Sequence, residues 1–140
     1  MVSSMAHARG GLDLGDLTME RSFSPYGAYA ASKLANVLFA FELARRLQTT
    51  RITANALHPG VITTKLLREG FGSTGDSLER GARTSVKLAT DPGLEKVTGK
   101  YFSDEREARP SAAALDRATQ RELYELSAKL TGVAPLPAAD

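Results

Sequence analysis

The longest regular pattern of apolar and polar positions lies between residues 26 and 47. This segment is rich in helix-forming residues and has no glycine or proline after Gly27, so it predicts a helix. Ser24 and Pro25 are residue types that favour the cap and the first turn of a helix. Two apolar stripes at helical spacing predict that this helix is covered on two sides, by a sheet and by another helix or subunit. The stripes are Leu34, Val37, Leu38 and Phe41, and Phe39, Leu43 and Leu47.

Shorter strand and helix patterns alternate along the rest of the chain. Residues 1–4 (MVSS) predict the end of a strand, and residues 5–25 predict a loop because their apolar positions follow no sustained period. Residues 52–57 (ITANAL) predict a strand that ends before Pro59, since proline cannot continue a ladder. The later patterns predict an irregular segment over 61–76, a helix over 77–89, a strand over 99–103, a turn over 106–111 and a helix over 112–130.

Alternating strands and helices predict an α/β fold. A parallel strand is normally buried on both faces, and the few strands predicted here would leave apolar helix faces and a sheet edge uncovered. The predicted organisation is therefore half of a fold over residues 1–133, followed by a frayed tail over 134–140.

Composition and charge exclude several classes of protein. The 18 basic and 16 acidic residues are spread along the chain, so no basic stripe favours nucleic acid. Cysteine is absent, and neither His7 nor His58 lies near an acidic cluster, so we expect no metal site. No run approaches the ~18 apolar residues of a membrane span, and the N-terminus lacks the pattern of an export signal. These features favour a cytoplasmic protein without a nucleic-acid partner and without a membrane span.

The candidate chemistry lies in the long predicted helix. Tyr29 and Lys33 are four positions apart, so they project from one face about one turn apart. An isolated tyrosine hydroxyl is a poor acid or base at neutral pH, but a nearby ammonium stabilises its phenolate. Such a tyrosine can exchange a proton with a carbonyl or alcohol oxygen. A surface tyrosine and lysine would show the same spacing, so the pair alone is a weak motif.

Two further segments strengthen this interpretation. Ser3 and Ser4 follow the first predicted strand, and the sequence His58-Pro59-Gly60 follows the next one. Ligands of open α/β sheets bind beyond the carboxyl ends of the strands. We therefore expect both segments at the same rim of the sheet as the tyrosine and lysine.

Five motifs follow one another along the chain: VSSMAHARG, YAASK, SKLANVLFAFELARRL, LHPGVITTKL and TGKYFSDEREARPS. In this order they resemble the short-chain dehydrogenase/reductases, and within that family the retinol dehydrogenase and WW-domain oxidoreductase branch. The resemblance extends from Val2 to about Val133. It implies a Rossmann-like doubly wound parallel sheet, of which this chain would be the C-terminal portion. It also implies an NAD(P)-dependent oxidoreductase that transfers a hydride between nicotinamide and a carbonyl or alcohol.

The resemblance assigns a role to each candidate residue. Tyr29 would be the general acid or base, Lys33 would stabilise its phenolate, and Ser4 would hold the substrate oxygen. Tyr29 and Lys33 would also contact the nicotinamide ribose of the implied cofactor, which is NADP or NAD with a slight preference for NADP. The segment that packs against the nicotinamide and diphosphate corresponds to Pro59, Gly60, Ile62 and Thr64.

Each of these segments has a simpler explanation as well. Ser4 alone is typical of a turn, and Thr64 alone of a helix cap. Residues 65–76 occupy the place of the family's substrate loop, which would cover a small apolar carbonyl or alcohol, although a mobile surface loop fits them equally well. The helix over 30–47 corresponds to the family's subunit-pairing helix, so a homodimer is implied, but core packing would also explain its second apolar stripe.

The family's Gly-rich turn after the first strand, which binds the pyrophosphate, has no counterpart in this sequence. The glycine-containing segment GFGSTG at 70–75 follows no predicted strand, so it is not the pyrophosphate-binding turn. Three hypotheses therefore remain open. The chain represents the C-terminal half of an active oxidoreductase, a truncated product without activity, or an interaction module that uses an exposed apolar surface.

Overall fold

Helices are interspersed with strands along the chain, and two of the strands pair in parallel, which confirms the predicted α/β class. The computed structural model describes residues 1–138. Short 3₁₀ helices occur at Met5–Arg9, Pro92–Leu94 and Ala113–Leu115. The longer elements are α1 (Pro25–Arg46), β1 (Ala56–His58), α2 (Lys65–Phe71), α3 (Leu78–Thr90), β2 (Tyr101–Ser103), β3 (Arg106–Ala108) and α4 (Arg117–Thr131).

Helix α1 forms where the pattern predicts it and carries much of the core. The Ser24 side chain accepts a hydrogen bond from the Gly27 amide at 3.1 Å, so the predicted cap is present. The apolar side of α1 packs against the sheet and α4, and this packing excludes water from one continuous cluster. The cluster contains Leu34, Val37, Leu38, Ala40, Phe41, Ala56, Tyr101, Ala114 and Leu123.

The sheet has the parallel pair expected of a Rossmann-like portion, and a short antiparallel strand is added at its edge. Strand β1 pairs with β2 in parallel, and β2 pairs with β3 in antiparallel orientation. On the other side of β1, Val2 forms a parallel bridge with Leu57, and the Ser3 amide donates to the Leu57 carbonyl at 2.7 Å. Residues 1–3 therefore continue the sheet beyond β1, which agrees with the strand end predicted for MVSS.

The strand predicted over 52–57 is displaced, since β1 spans Ala56–His58. Side chains help to hold the residues before β1, together with a backbone bond from the Gly99 amide to the Ala54 carbonyl. The Ala54 amide donates to Thr98 Oγ1 at 3.0 Å, and Asn55 Nδ2 donates to the Val97 carbonyl at 2.7 Å. These long-range bonds pair backbone groups outside the regular strand, and a local pattern cannot reveal them.

Two segments predicted to be irregular contain short helices. The loop predicted over 5–25 begins with the 3₁₀ helix Met5–Arg9. The irregular segment predicted over 61–76 contains α2, which ends at Gly72 in the left-handed conformation with φ 61°. Both helices are too short for a periodic pattern to be visible in the sequence.

The C-terminal third differs from the prediction in two ways. The turn predicted over 106–111 contains β3, because Asp104 and Glu105 adopt positive φ values of 50° and 62° and reverse the chain. The helix predicted over 112–130 begins later. A 3₁₀ turn comes first, and Asp116 then caps α4 by accepting a hydrogen bond from the Ala118 amide at 3.0 Å.

Helix α4 covers the second apolar stripe of α1. The rings of Phe39 and Tyr124 stack with their centroids 5.0 Å apart. The Leu136 amide donates to the Tyr124 hydroxyl at 3.3 Å, and the Leu136 carbonyl accepts from Arg46, so the described part of the predicted tail contacts both helices. Residues 139–140 of that tail lie outside the described residues. Packing against α4 thus covers part of the stripe, while Phe39 and Leu43 remain partly exposed, and the homodimer stays a prediction.

Candidate functional site

A single cavity of about 380 Å³ gathers the residues singled out from the sequence. It lies beyond the carboxyl end of β1, between the start of the chain, α1 and α2. Its volume falls in the range of ~300–1,000 Å³ that is usual for small-molecule sites. The seven predicted residues in its lining are Ser4, Tyr29, Lys33, Pro59, Gly60, Ile62 and Thr64.

Helix α1 supplies Tyr29 and Lys33. The Lys33 ammonium nitrogen lies 5.5 Å from the centroid of the Tyr29 ring, as the four-residue spacing predicts. The backbone carbonyl of Lys33 accepts a hydrogen bond from Ser3 Oγ at 2.7 Å. This bond joins the first turns of α1 to the segment that carries Ser4.

Ser4 is 8% exposed and begins the first 3₁₀ helix. Its Oγ accepts a hydrogen bond from the Ala6 amide at 3.2 Å. A hydroxyl that accepts at its oxygen keeps its proton for another acceptor. Ser4 is therefore a turn serine, as the simpler explanation held, and it still has a donor available at the cavity.

The segment after β1 forms another wall. Gly60 has φ 99°, a left-handed conformation that favours glycine and turns the chain away from the strand. Ile62 packs so closely on α3 that a Cβ at Gly81 would lie 2.7 Å from its Cγ1. Thr64 Oγ1 accepts from the Leu67 amide at 3.2 Å and so caps α2, as the simpler explanation predicted.

The loop that carries α2 is closed at its base by four hydrogen bonds. The Thr63 amide donates to the Asp76 carbonyl at 2.9 Å, and the Asp76 amide donates to the Val61 carbonyl at 2.8 Å. Thr63 Oγ1 donates to the Gly75 carbonyl at 2.7 Å and accepts from the Gly75 amide at 2.8 Å. Since no residue of α2 is buried, the base and the cavity contacts hold this helix in place.

Two side chains of the cavity lie in segments that the sequence placed at the site, although neither was singled out there. Phe71, at the end of α2, makes edge contacts with the rings of Tyr29 at 5.5 Å and Tyr26 at 6.3 Å. His58 also lines the cavity, and its Nδ1 is buried without a hydrogen-bond partner among residues 1–138. Burial lowers the pKa of His58, against the opposing effect of the Asp104 carboxylate. The position of His58 at a strand end was the available signal.

Other kinds of site are not found in the described part of the chain. No group of three or more histidine, aspartate or glutamate side chains there could hold a metal ion. None of the helices within residues 1–138 is long and apolar enough to cross a membrane. The described glycines form no Gly-rich turn between a strand and the start of a helix, where a pyrophosphate would bind.

Known proteins resemble this chain along almost all of its length. The family model for short chain dehydrogenase matches residues 18–72. Retinol dehydrogenase 12 of Homo sapiens is 40% identical over 141 residues, which cover 94% of this chain and 45% of that protein. Polyprenol dehydrogenase of Mus musculus is 41% identical over 144 residues, which cover 94% of this chain and 43% of that protein.

A solved structure agrees with these relatives. The crystal structure of a putative uncharacterized protein from Mycobacterium Paratuberculosis superposes with a TM-score of 0.78 at 32% identity, covering 97% of this chain and 50% of that one. The chain thus spans about half the length of the proteins that it matches. The order of its elements, the residues at its cavity and these similarities agree: the chain belongs to the short-chain dehydrogenase family, in its retinol dehydrogenase branch.

Proposed function

We propose that this chain forms the catalytic half of an NAD(P)-dependent oxidoreductase that interconverts a carbonyl and an alcohol. One observation carries the proposal: Ser4, Tyr29 and Lys33 line the same cavity although the serine lies 25 positions before the tyrosine. A proton donor, a cation and a second hydroxyl at one cavity are what a reaction at a carbonyl oxygen needs.

Each of the three side chains has a separate task in this mechanism. In reduction, the Tyr29 hydroxyl gives its proton to the substrate oxygen, and in oxidation the phenolate takes the proton back. The Lys33 ammonium, 5.5 Å from the tyrosine ring, stabilises the phenolate in either direction. The Ser4 hydroxyl, whose oxygen already accepts from Ala6, donates to the substrate oxygen as negative charge develops there.

The nicotinamide end of NAD(P)H fits the residues present. Pro59 and Gly60 line the cavity together with Lys33, and Gly60 adds backbone without a side chain to this wall. Ile62 and Thr64 border the same space. When bound, the nucleotide supplies the hydride. The described residues offer no Gly-rich turn for its pyrophosphate, so they would hold only part of the nucleotide, as NADP or NAD.

The substrate that suits this cavity is a small apolar carbonyl or alcohol. Leu66, Leu67 and Phe71 of α2 line the cavity, and none of them carries a charge. An apolar wall favours an apolar substrate, because releasing water from the two apolar surfaces is favourable in free energy. No polar group of the wall is then left without a hydrogen-bond partner.

A titration of the chain with NADPH and NADH tests this proposal, with nucleotide fluorescence and thermal melting followed in the same samples. We expect saturable binding and a raised melting temperature. Carbonyl reduction should then fall at least ~10²-fold in Tyr29→Phe. The matched control is Tyr124→Phe, which removes a tyrosine hydroxyl that lies between α4 and the tail.

Either of two outcomes would overturn the proposal for this chain. One is a cooperative melt without any nucleotide binding. The other is nucleotide-dependent reduction that the Tyr29 and Tyr124 variants support equally.

A further inference from the structure

His7 links the candidate catalytic serine to a distant part of the chain. It is 4% exposed and lies in the first 3₁₀ helix, outside the lining of the cavity. Its Nδ1 lies 2.7 Å from the Ser4 carbonyl oxygen, and its Nε2 lies 3.1 Å from the amide of Ser111, 104 positions along the chain. Its ring lies 4.8 Å from that of Tyr101.

These two contacts determine the protonation of the ring. The Ser111 amide can only donate, so Nε2 of His7 accepts and carries no proton. The Ser4 carbonyl can only accept, so Nδ1 carries the proton and donates it. The arrangement therefore requires the neutral ring with the proton on Nδ1, since any other form breaks one of the two bonds.

The bond to Ser4 bears directly on the orientation of its hydroxyl. The Ser4 carbonyl also accepts from the His7 amide at 3.1 Å, so His7 holds that peptide with both its backbone and its ring. With the peptide held, Ala6 presents its amide to Ser4 Oγ, and the serine proton remains available for the cavity. His7 does not line the cavity, and its hydrogen bond to the Ser4 carbonyl connects it to the candidate catalytic residues.

We propose that His7 is a positioning residue that orients the Ser4 hydroxyl through its Nδ1 hydrogen bond. Its Nε2 bond to Ser111 keeps the ring in the required form, so the segment before the 3₁₀ helix Ala113–Leu115 controls the geometry of the site. This inference rests on the catalytic role proposed for Ser4. It assigns a task to a residue that touches neither substrate nor nucleotide.

Two substitutions separate the two bonds. His7→Asn places an amide N–H at the position of Nδ1 and offers no acceptor to Ser111. His7→Gln reaches Ser111 with its side-chain oxygen and offers no donor to the Ser4 carbonyl. We expect kcat of His7→Gln to fall about tenfold with little change in the KM for nucleotide, while His7→Asn stays within about threefold of the original protein. Arg9→Gln, at an exposed position of the same 3₁₀ helix, is the control.

A second measurement needs neither nucleotide nor turnover. In ¹⁵N-labelled protein, long-range ring correlations should show the His7 proton on Nδ1. Amide exchange at Ala6, which reports the bond to Ser4 Oγ, should accelerate in His7→Gln and remain slow in His7→Asn. If the protein reduces no carbonyl, the proposed function fails. The exchange measurement still tests whether the His7 ring orients Ser4.

Several results would overturn the inference. A His7 proton on Nε2 contradicts the geometry directly. Equal acceleration of Ala6 exchange in both variants, or equal losses of kcat that follow their melting temperatures, would show that His7 only stabilises the fold. Unchanged exchange in His7→Gln would show that the ring does not hold Ser4.

Discussion

Three aromatic rings that line the cavity contact one another. Tyr26 and Tyr29 lie one turn apart on α1, and Phe71 of α2 makes edge contacts with both. Tyr26 and Phe71 remain 44% and 42% exposed, so a ligand can reach them without the core opening. A flat ligand could replace the Phe71 edge with a stacked or edge contact of its own.

Phe71→Leu should therefore weaken binding of a flat apolar carbonyl such as 2-naphthaldehyde. An aromatic pair contributes about 0.5–1.5 kcal/mol beyond burial, which corresponds to a loss of roughly 2-fold to 10-fold in affinity. Binding of the aldehyde by calorimetry, without nucleotide, measures this effect. Phe23→Leu, at a ring that is 69% exposed and outside the cavity, should leave the affinity unchanged. Equal affinities in both variants would contradict the role of Phe71.

The buried ring of His58 predicts a dependence of stability on pH. Burial lowers its pKa in the folded protein below the ordinary value of 6.5, so between these two values the unfolded chain binds more protons. Folding stability should then fall as the pH is lowered through 6.5, and level off below the folded pKa. Between about pH 7.5 and about pH 5.5, the melting temperature should fall less in His58→Gln than in the original protein. If the melting temperature depends on pH in the same way in both proteins, His58 is not the source of the pH dependence.

At the scale of elements, Arg46 forms a buried ion pair within α1 and also contacts α4. Arg46 Nε donates to Glu42 Oε1 at 2.7 Å, and Arg46 also contacts Glu125 and the face of the Tyr124 ring, 4.2 Å from its centroid. Burial would raise the pKa of Glu42, but hydrogen bonds from Arg46 and Arg45 outweigh it and hold that pKa below its usual range. The side chains of Arg46 and Glu42 are 1% and 4% exposed.

Arg46→Met should destabilise the protein, but by less than the ~3–5 kcal/mol expected for a fully unpaired buried charge, because the buried Glu42 carboxylate keeps Arg45 as a partner. Urea denaturation followed by circular dichroism measures this loss. Arg121→Met, at an exposed position of α4, is the matched control and should change stability by less than about 0.5 kcal/mol. If Arg46→Met lowers the free energy of unfolding no more than the control does, the Arg46–Glu42 pair contributes nothing to stability.

At the scale of the whole molecule, the cavity depends on contacts between distant parts of the chain. The first three residues lie beside β1, and their other side has no strand within residues 1–138. Met1 and Val2 are 47% and 51% exposed there. The matched relatives are about twice as long as this chain, so the nucleotide titration also measures how much of the site these residues form alone.

The sequence determined the parts of this protein that depend on local interactions. The cap at Ser24, the length of α1 and the shared face of Tyr29 and Lys33 follow from residues within one turn of each other. The order of the motifs was also sufficient to predict that Ser4 and Gly60 would reach the same cavity, since both follow strands of one sheet.

Only the tertiary structure decided the features that depend on distant partners. The bounds of β1 and the hairpin of β3 depend on pairing across the sheet, and a three-residue strand has too few positions to show a period. The contact of Phe71 with Tyr29 and the bond from Ser111 to His7 join residues 42 and 104 positions apart. No local pattern encodes such contacts, because their free energy is gained only when the whole chain has folded.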